Sequence, residues 1–219
     1  MDETTRRQLG DLTLDGRPLV ICDVDEVIVH FTRDLEDYLA ARELYLEPIS
    51  LALAGNVRRK RDGVPVPGSQ LAPLIQLFFL ERSLHMEPID GAVDALSLIG
   101  ERADVVLLTN LPHEAGDLRR RNLEGHGLPY PVITNSGPKG PAVKALSAMA
   151  KGPAVFIDDS PDFIASAFRH APHVHLVHFL HDGRFARHVT SPDYVSLRAA
   201  TWDEAGPHVL GLLSAGPVA

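Results

Sequence analysis

The stretch Leu19-Val20-Ile21-Cys22-Asp23-Val24-Asp25-Glu26-Val27-Ile28 constrains this chain more than any other. Leu19 to Cys22 is apolar, holds no glycine or proline and follows Pro18, so it reads as a strand buried on both faces, the kind found inside a parallel sheet. Its far end delivers two carboxylates, Asp23 and Asp25. In open α/β sheets, ligands bind in the crevice outside the carboxyl ends of the strands. With one residue between them the two acids point differently and can hold different roles, one attacking or binding metal and the other moving protons. Aspartate also forms plain strand-end turns, so the pair gains its meaning from the rest of the chain.

Residues 1–17 are polar, show no period and read as a lead-in. After Ile28 the pattern turns helical, with Leu35, Tyr38, Leu39, Arg42 and Leu46 at three- and four-residue steps and Asp34, Glu36 and Asp37 in the first turn. An apolar patch at Ile49 to Ala54, the basic run Arg58-Arg59-Lys60-Arg61 and a Pro/Gly loop follow, then a helix from about Gln70 to Leu84. Residues 31–88 thus predict a small helical insertion directly after the first strand. Beyond Pro88 the chain alternates. Helices are expected at Gly91–Arg102, His113–Glu124, from Lys139-Gly140-Pro141 onward and at Pro161–Arg169. Strands are expected at Asp104–Leu108, Pro131–Thr134, Ala154–Ile157 and Val174–Phe179, the last of them, with a closing helix from about Asp203 to Leu213. This alternation predicts an α/β fold, a doubly wound parallel sheet covered on both faces. The core would be residues 1–30 and 89–219, and the cap residues 31–88.

Four strand ends then carry polar residues that strands do not need: Asp23 and Asp25, Thr109 and Asn110, Lys139, and Asp158 with Asp159. A parallel sheet places all of these ends on one edge. Carboxylates gathered there repel one another unless a hard cation sits among them, and oxygen ligands suit Mg²⁺, which keeps waters for a phosphate. A lysine and a threonine hydroxyl supply donors for a phosphoryl group whose oxygens gain charge. Lys144, one turn beyond Lys139, competes for the phosphate-binding role.

With these residues in place the chain resembles the haloacid dehalogenase superfamily, on its phosphatase side. The four motifs of that family match Asp23-Val24-Asp25-Glu26-Val27-Ile28, then Leu107-Leu108-Thr109-Asn110, then Lys139, then Phe156-Ile157-Asp158-Asp159-Ser160, in order and spacing. The insertion resembles the family's C1-type cap on a Rossmann-like core. The resemblance implies that Asp23 is a nucleophile forming an aspartyl-phosphate and that Asp25 is the general acid and then base. It implies Mg²⁺ held by the Asp23 carboxylate, the Asp25 backbone carbonyl and Asp159, with Asp158 assisting. Thr109, the Asn110 backbone N–H and Lys139 would bind phosphoryl oxygens. The resemblance also implies phosphate ester hydrolysis over carbon–halogen cleavage, because the family's dehalogenating branch lacks an aspartate at the place of Asp25. The implied protein is a Mg²⁺-dependent phosphatase of a small phosphorylated metabolite. Alternatives are a phospho-ligand binding or regulatory protein of little turnover and a phosphotransferase to an alcohol. A receiver-type signalling domain uses similar groups, but its lysine comes last in the chain, whereas here Lys139 precedes the final acid pair.

A formal charge of -8 argues against a general nucleic-acid or membrane-surface binder. One cysteine, Cys22, forms no internal disulfide, and Met-Asp-Glu is followed by no apolar signal segment, so a cytoplasmic protein is expected. A monomer or homodimer is expected, with Phe78-Phe79-Leu80 serving either a cap core or a dimer contact. The run Arg58 to Arg61 reads first as a solvated turn and second as a substrate-facing patch. His170, His173, His175, His178 and His181 lack the carboxylate or cysteine spacing of a metal site, although His173 and His175 would share a strand face. Trp202 reads as an anchor for the C-terminal segment.

Overall fold

The computed structural model describes residues 1–214. In chain order the elements are α1 (Glu3–Asp11), β1 (Leu19–Cys22), α2 (Phe31–Ala40), β2 (Leu44–Leu46), β3 (Val57–Arg59), α3 (Gly68–Arg82), α4 (Ala92–Gly100) and β4 (Asp104–Thr109). A 3₁₀ turn (His113–Ala115) leads into α5 (Gly116–Gly125), followed by β5 (Val132–Thr134), α6 (Gly140–Ser147), β6 (Ala154–Asp158) and α7 (Pro161–His170). The last elements are β7 (His175–Phe179), α8 (Gly183–Ala186), β8 (Leu197–Ala199) and α9 (Trp202–Ser214).

Six strands form one sheet in the order β5-β4-β1-β6-β7-β8, and every pairing is parallel. β1 is central because each of its four residues is fully buried, which only a strand covered on both faces achieves. Successive side chains alternate between two apolar layers. Val20 and Cys22 join one layer with Leu107, Ile157 and Val177; Leu19 and Ile21 join the other with Val106, Phe156 and Leu176. The carboxyl ends of β1, β4 and β6 therefore share one edge, and the acids of the sequence lie there.

Residues 1–17 are not a featureless lead-in. Asp2 caps α1 by accepting the Thr5 backbone N–H at 2.9 Å. α1 also protects the sheet edge: the Thr5 hydroxyl donates to the Thr134 carbonyl at 2.8 Å, and the Thr134 N–H donates to Gln8 Oε1 at 2.9 Å. The insertion also departs from expectation. The helix predicted to run through Leu46 stops at Ala40, and Glu43, at φ 57°, turns the chain into an antiparallel pair in which Leu44 faces Arg59 and Leu46 faces Val57. The insertion is thus two helices with a two-stranded pair between them, not a purely helical cap. Val174–Phe179 is not the last strand either, since β8 adds a short parallel edge beyond β7. Phe78 and Phe79 are buried in the cap, where Phe79 stacks on Phe31 and Phe78 meets Phe31 and Tyr38 edge-on, whereas Leu80 is exposed. No helix among the described residues is long and apolar enough to cross a membrane.

Candidate active site

The chain leaves β1 in a tight turn that fixes both motif acids. Asp23 continues the sheet ladder by donating its N–H to the Ile157 carbonyl at 2.9 Å. Its Oδ1 accepts the Val24 N–H at 2.7 Å. The N–H groups of Ile28 and Val29 then both return to the Val24 carbonyl, at 2.8 and 3.0 Å. Glu26 sits at φ 60°, a left-handed conformation that costs a non-glycine residue about 1 kcal/mol. Its carboxylate offsets that strain by accepting the Thr32 N–H at 2.7 Å, which caps α2. Turn, acids and the entry to the cap are therefore one unit.

Lys139, at the start of α6, is fully buried beneath this turn. Its Nζ lies 2.7 Å from Asp23 Oδ1 and 2.7 Å from Asp158 Oδ2. Burial opposes its charge, yet the Asp158 and Asp23 carboxylates outweigh that and hold its pKa above the ordinary lysine value. Lys144 is exposed on the outer face of α6, so Lys139 is the lysine that reaches the site. Asp158 is anchored further by the Ser160 N–H, at 2.9 Å from its Oδ1. Asp23 Oδ1 takes two bonds, which leaves its Oδ2 without a protein partner among the described residues.

Asp23, Asp158 and Asp159 each offer a carboxylate oxygen, and the three lie within 4.8 Å of one another. One lysine does not balance three carboxylates. Burial pushes the Asp23 carboxyl up to about 7, opposed by Lys139 and assisted by the charges of Asp158 and Asp25. Burial, then the Asp158 and Asp23 charges, also drives Asp159 well above the carboxylate range. A small hard cation relieves that repulsion, and an all-oxygen donor set suits Mg²⁺. The residues therefore fit the implied ion. His178 holds the Asp159 end in place. Its Nε2 donates to the Asp159 carbonyl at 2.9 Å, so its Nδ1 accepts the Ser191 hydroxyl at 2.8 Å. Burial lowers its pKa, and the bond to the Asp159 carbonyl works against that shift.

The side chain of Asp25 turns away from this cluster. Its Oδ2 accepts the Thr109 hydroxyl at 3.1 Å and its Oδ1 accepts Arg119 Nη2 at 2.6 Å. The Thr109 hydroxyl thus reaches Asp25 directly, and rotation of that O–H would be needed to present it to a phosphoryl oxygen. Any share of Asp25 in holding a metal falls to its backbone carbonyl. Arg119, on α5, was not legible in the sequence. It is fully buried, and its Nη1 donates to Asn122 Oδ1 at 3.2 Å while Asn122 Nδ2 donates to the Met86 carbonyl at 2.9 Å. Asp25 is thereby tied to the segment where the cap returns to the core.

Asn110 lies at the rim of a groove between α3 and the loops after β4 and β5. Its side chain donates to the Gly137 carbonyl at 2.8 Å, and its backbone N–H meets no acceptor among the described residues. The run Arg58 to Arg61 lies apart from these acids: Arg58 pairs with Glu47, and Arg59 and Arg61 both pair with Asp62. Of the histidines, His175 opens β7 and His173 precedes it, bonding Ser147 at 3.1 Å, so they do not form a strand-face pair. Cys22 is buried and unpaired, and Trp202 anchors α9 by donating to the Val27 carbonyl at 2.9 Å.

No family model matches the chain, and no curated protein matches it. Solved structures do. A haloacid dehalogenase-like protein of unknown function from Agrobacterium tumefaciens is 17% identical with a TM-score of 0.60, covering 91% of this chain and 100% of its own. A HAD family hydrolase from Deinococcus radiodurans, solved with bound phosphate and sodium, is 20% identical with a TM-score of 0.56, covering 93% and 99%. A HAD hydrolase from Bacillus subtilis bound to magnesium is 15% identical with a TM-score of 0.58, covering 92% and 100%. Six parallel strands with acids at the carboxyl ends of β1 and β6, matched over nine-tenths of the chain, give this protein the haloacid dehalogenase fold.

Proposed function

We propose that this protein is a Mg²⁺-dependent phosphatase acting on a small phosphorylated metabolite. The observation that carries the reading is the convergence of Asp23, Asp158 and Asp159 on one point beside the buried Lys139. It is supported by the phosphate bound in the Deinococcus radiodurans protein and the magnesium bound in the Bacillus subtilis protein, which share the fold. In this reading Asp23 Oδ2 attacks phosphorus and the bond from phosphorus to the leaving oxygen breaks. The Asp25 carboxyl gives its proton to that oxygen. In the second half, water attacks the aspartyl-phosphate, Asp25 takes the proton, and phosphate leaves from Asp23. Lys139 fixes Asp23 by ion pairing, and the Asn110 N–H with the Thr109 hydroxyl holds phosphoryl oxygens. Mg²⁺, held by Asp23, Asp159 and the Asp25 carbonyl with help from Asp158, would neutralise charge on the transferring group.

Steady-state hydrolysis of p-nitrophenyl phosphate with Mg²⁺ tests this. Wild type is expected to turn over many times, and Asp23→Asn to lose activity to background. A protein that binds inorganic phosphate but releases no nitrophenol would instead be a phospho-ligand binder. Phosphate transfer to an added alcohol in preference to water would make it a phosphotransferase.

A further inference from the structure

The walls around the candidate site carry a charge pattern that bears on the leaving group. A groove of about 660 Å³ opens at Asn110, next to Thr109, and its cap wall is Leu71, Ile75 and Phe79 of α3 with Leu53. A smaller cavity of about 100 Å³ lies on the other side, under Phe31, Leu46 and Leu51, with Glu26 and Asp159 at its base. Leu53 lines both. Neither space is lined by a lysine or an arginine.

Two of the groove's polar side chains already make bonds within the protein. His113 Nε2 lies 3.2 Å from the Asp2 carboxylate and its Nδ1 meets the Thr134 hydroxyl. The Asn135 amide donates to Asn110 Oδ1 at 2.8 Å and to the Gly137 carbonyl at 3.0 Å. Glu114 adds negative charge. The nearby arginines line a separate depression, outside both spaces. Arg184, in a depression beyond the smaller cavity, is held by Glu36 and Asp182 at 2.7 Å each, while Arg33 beside it is largely exposed. The chain as a whole carries a formal charge of -8. An anionic leaving group entering here would give up hydration to apolar walls with no cation in return. An uncharged one loses nothing comparable and covers Leu71, Ile75 and Phe79.

Resting on the phosphatase reading, we infer that the substrate is a phosphate monoester of an uncharged, largely apolar alcohol or phenol, one that fills the groove beside α3. Carboxylate- or pyrophosphate-bearing leaving groups are rejected. The basic run Arg58 to Arg61 takes no part.

The test is a matched pair with the same leaving oxygen, hexyl phosphate and 6-(phosphonooxy)hexanoate, compared by kcat/KM on the full chain with Mg²⁺. The neutral ester is expected to be favoured at least about tenfold. Gln76 is exposed on the groove wall, so Gln76→Arg places a cation there without disturbing the core. That variant should narrow the ratio by lowering the KM of the carboxylate ester. Equal or better use of the carboxylate ester by wild type overturns the inference, as does a ratio that Gln76→Arg does not move. Failure to hydrolyse any ester, p-nitrophenyl phosphate included, overturns the phosphatase reading and this inference with it.

Discussion

A planar guanidinium donates along fixed directions, so a buried arginine sets the orientation of its carboxylate partner as well as neutralising it. Arg119 does this to Asp25 at 2.6 Å, with Thr109 gripping the other oxygen. If Asp25 protonates the leaving oxygen, its aim matters in proportion to how much that oxygen needs a proton. Arg119→Lys retains the charge but cannot reach Asp25 and Asn122 together. It is expected to slow hydrolysis of an alkyl phosphate by about 10²-fold, within the range of general acid catalysis. p-Nitrophenyl phosphate, whose leaving group departs unprotonated, should slow far less. Equal losses on both esters would reduce Arg119 to a support of the fold. The acids at 23, 25, 158 and 159 were readable because strand ends and motif order announce them. Arg119 was not, because it stands in the run Arg119-Arg120-Arg121, and a charged run on a helix reads as a solvated face. Only the packing of α5 under the cap's return segment buries one of the three. His178 was hidden in the same way among neighbouring histidines on and around β7.

Elements differ in how they announce themselves. Strands β1, β4 and β6 and helices α3, α4, α7 and α9 lie where period and apolar content place them, within a residue or two. α1 escaped because only Thr5 and Leu9 are buried, and what holds it is a cap and side-chain bonds to β5. β2, β3 and β8 have three residues each, and none of them is a run as apolar and buried as β1. Leu46 continued the helical spacing of α2 by coincidence and belongs to β2. The element that positions Lys139 depends on a glycine. A Cβ at Gly140 would lie 2.2 Å from the Ser166 carbonyl oxygen, on the backbone of α7, and the Gly140 N–H donates to Ser166 Oγ at 3.1 Å. Gly140→Ala must push α6 off α7 and carry Lys139 with it. Overpacking of this kind costs about 1–3 kcal/mol, occasionally more. A denaturant melt should show that loss, and kcat should fall in the protein that remains folded. An unchanged melting curve would mean that the two helices separate freely.

At the scale of the molecule, cap and core share one apolar layer. Leu35, Tyr38, Leu39 and Phe78 of the insertion belong to the same buried cluster as Val20, Cys22, Val24 and Val27. We propose the division at residues 31–88 as a functional one, with the cap serving as a wall of the groove. Against that apolar background, the concentrated charge at the sheet edge is the term most open to a ligand. Three carboxylates face one lysine there, in a chain whose formal charge is already -8. An ion that binds the folded state alone stabilises it by about 2.7 kcal/mol at 100 times its dissociation constant. For a chain of this size each kcal/mol is worth roughly 2–4 °C. Saturating Mg²⁺ should therefore raise the melting temperature by about 5–10 °C, and EDTA should reverse the rise. Sodium chloride at equal ionic strength should not reproduce it, because screening acts weakly on buried charges. Asp159→Asn removes one ligand and one repelling charge together. It is expected to melt above the metal-free wild type and to lose most of the Mg²⁺ response. A variant that kept the full response would place the ion away from Asp159, and the proposed metal site would fail.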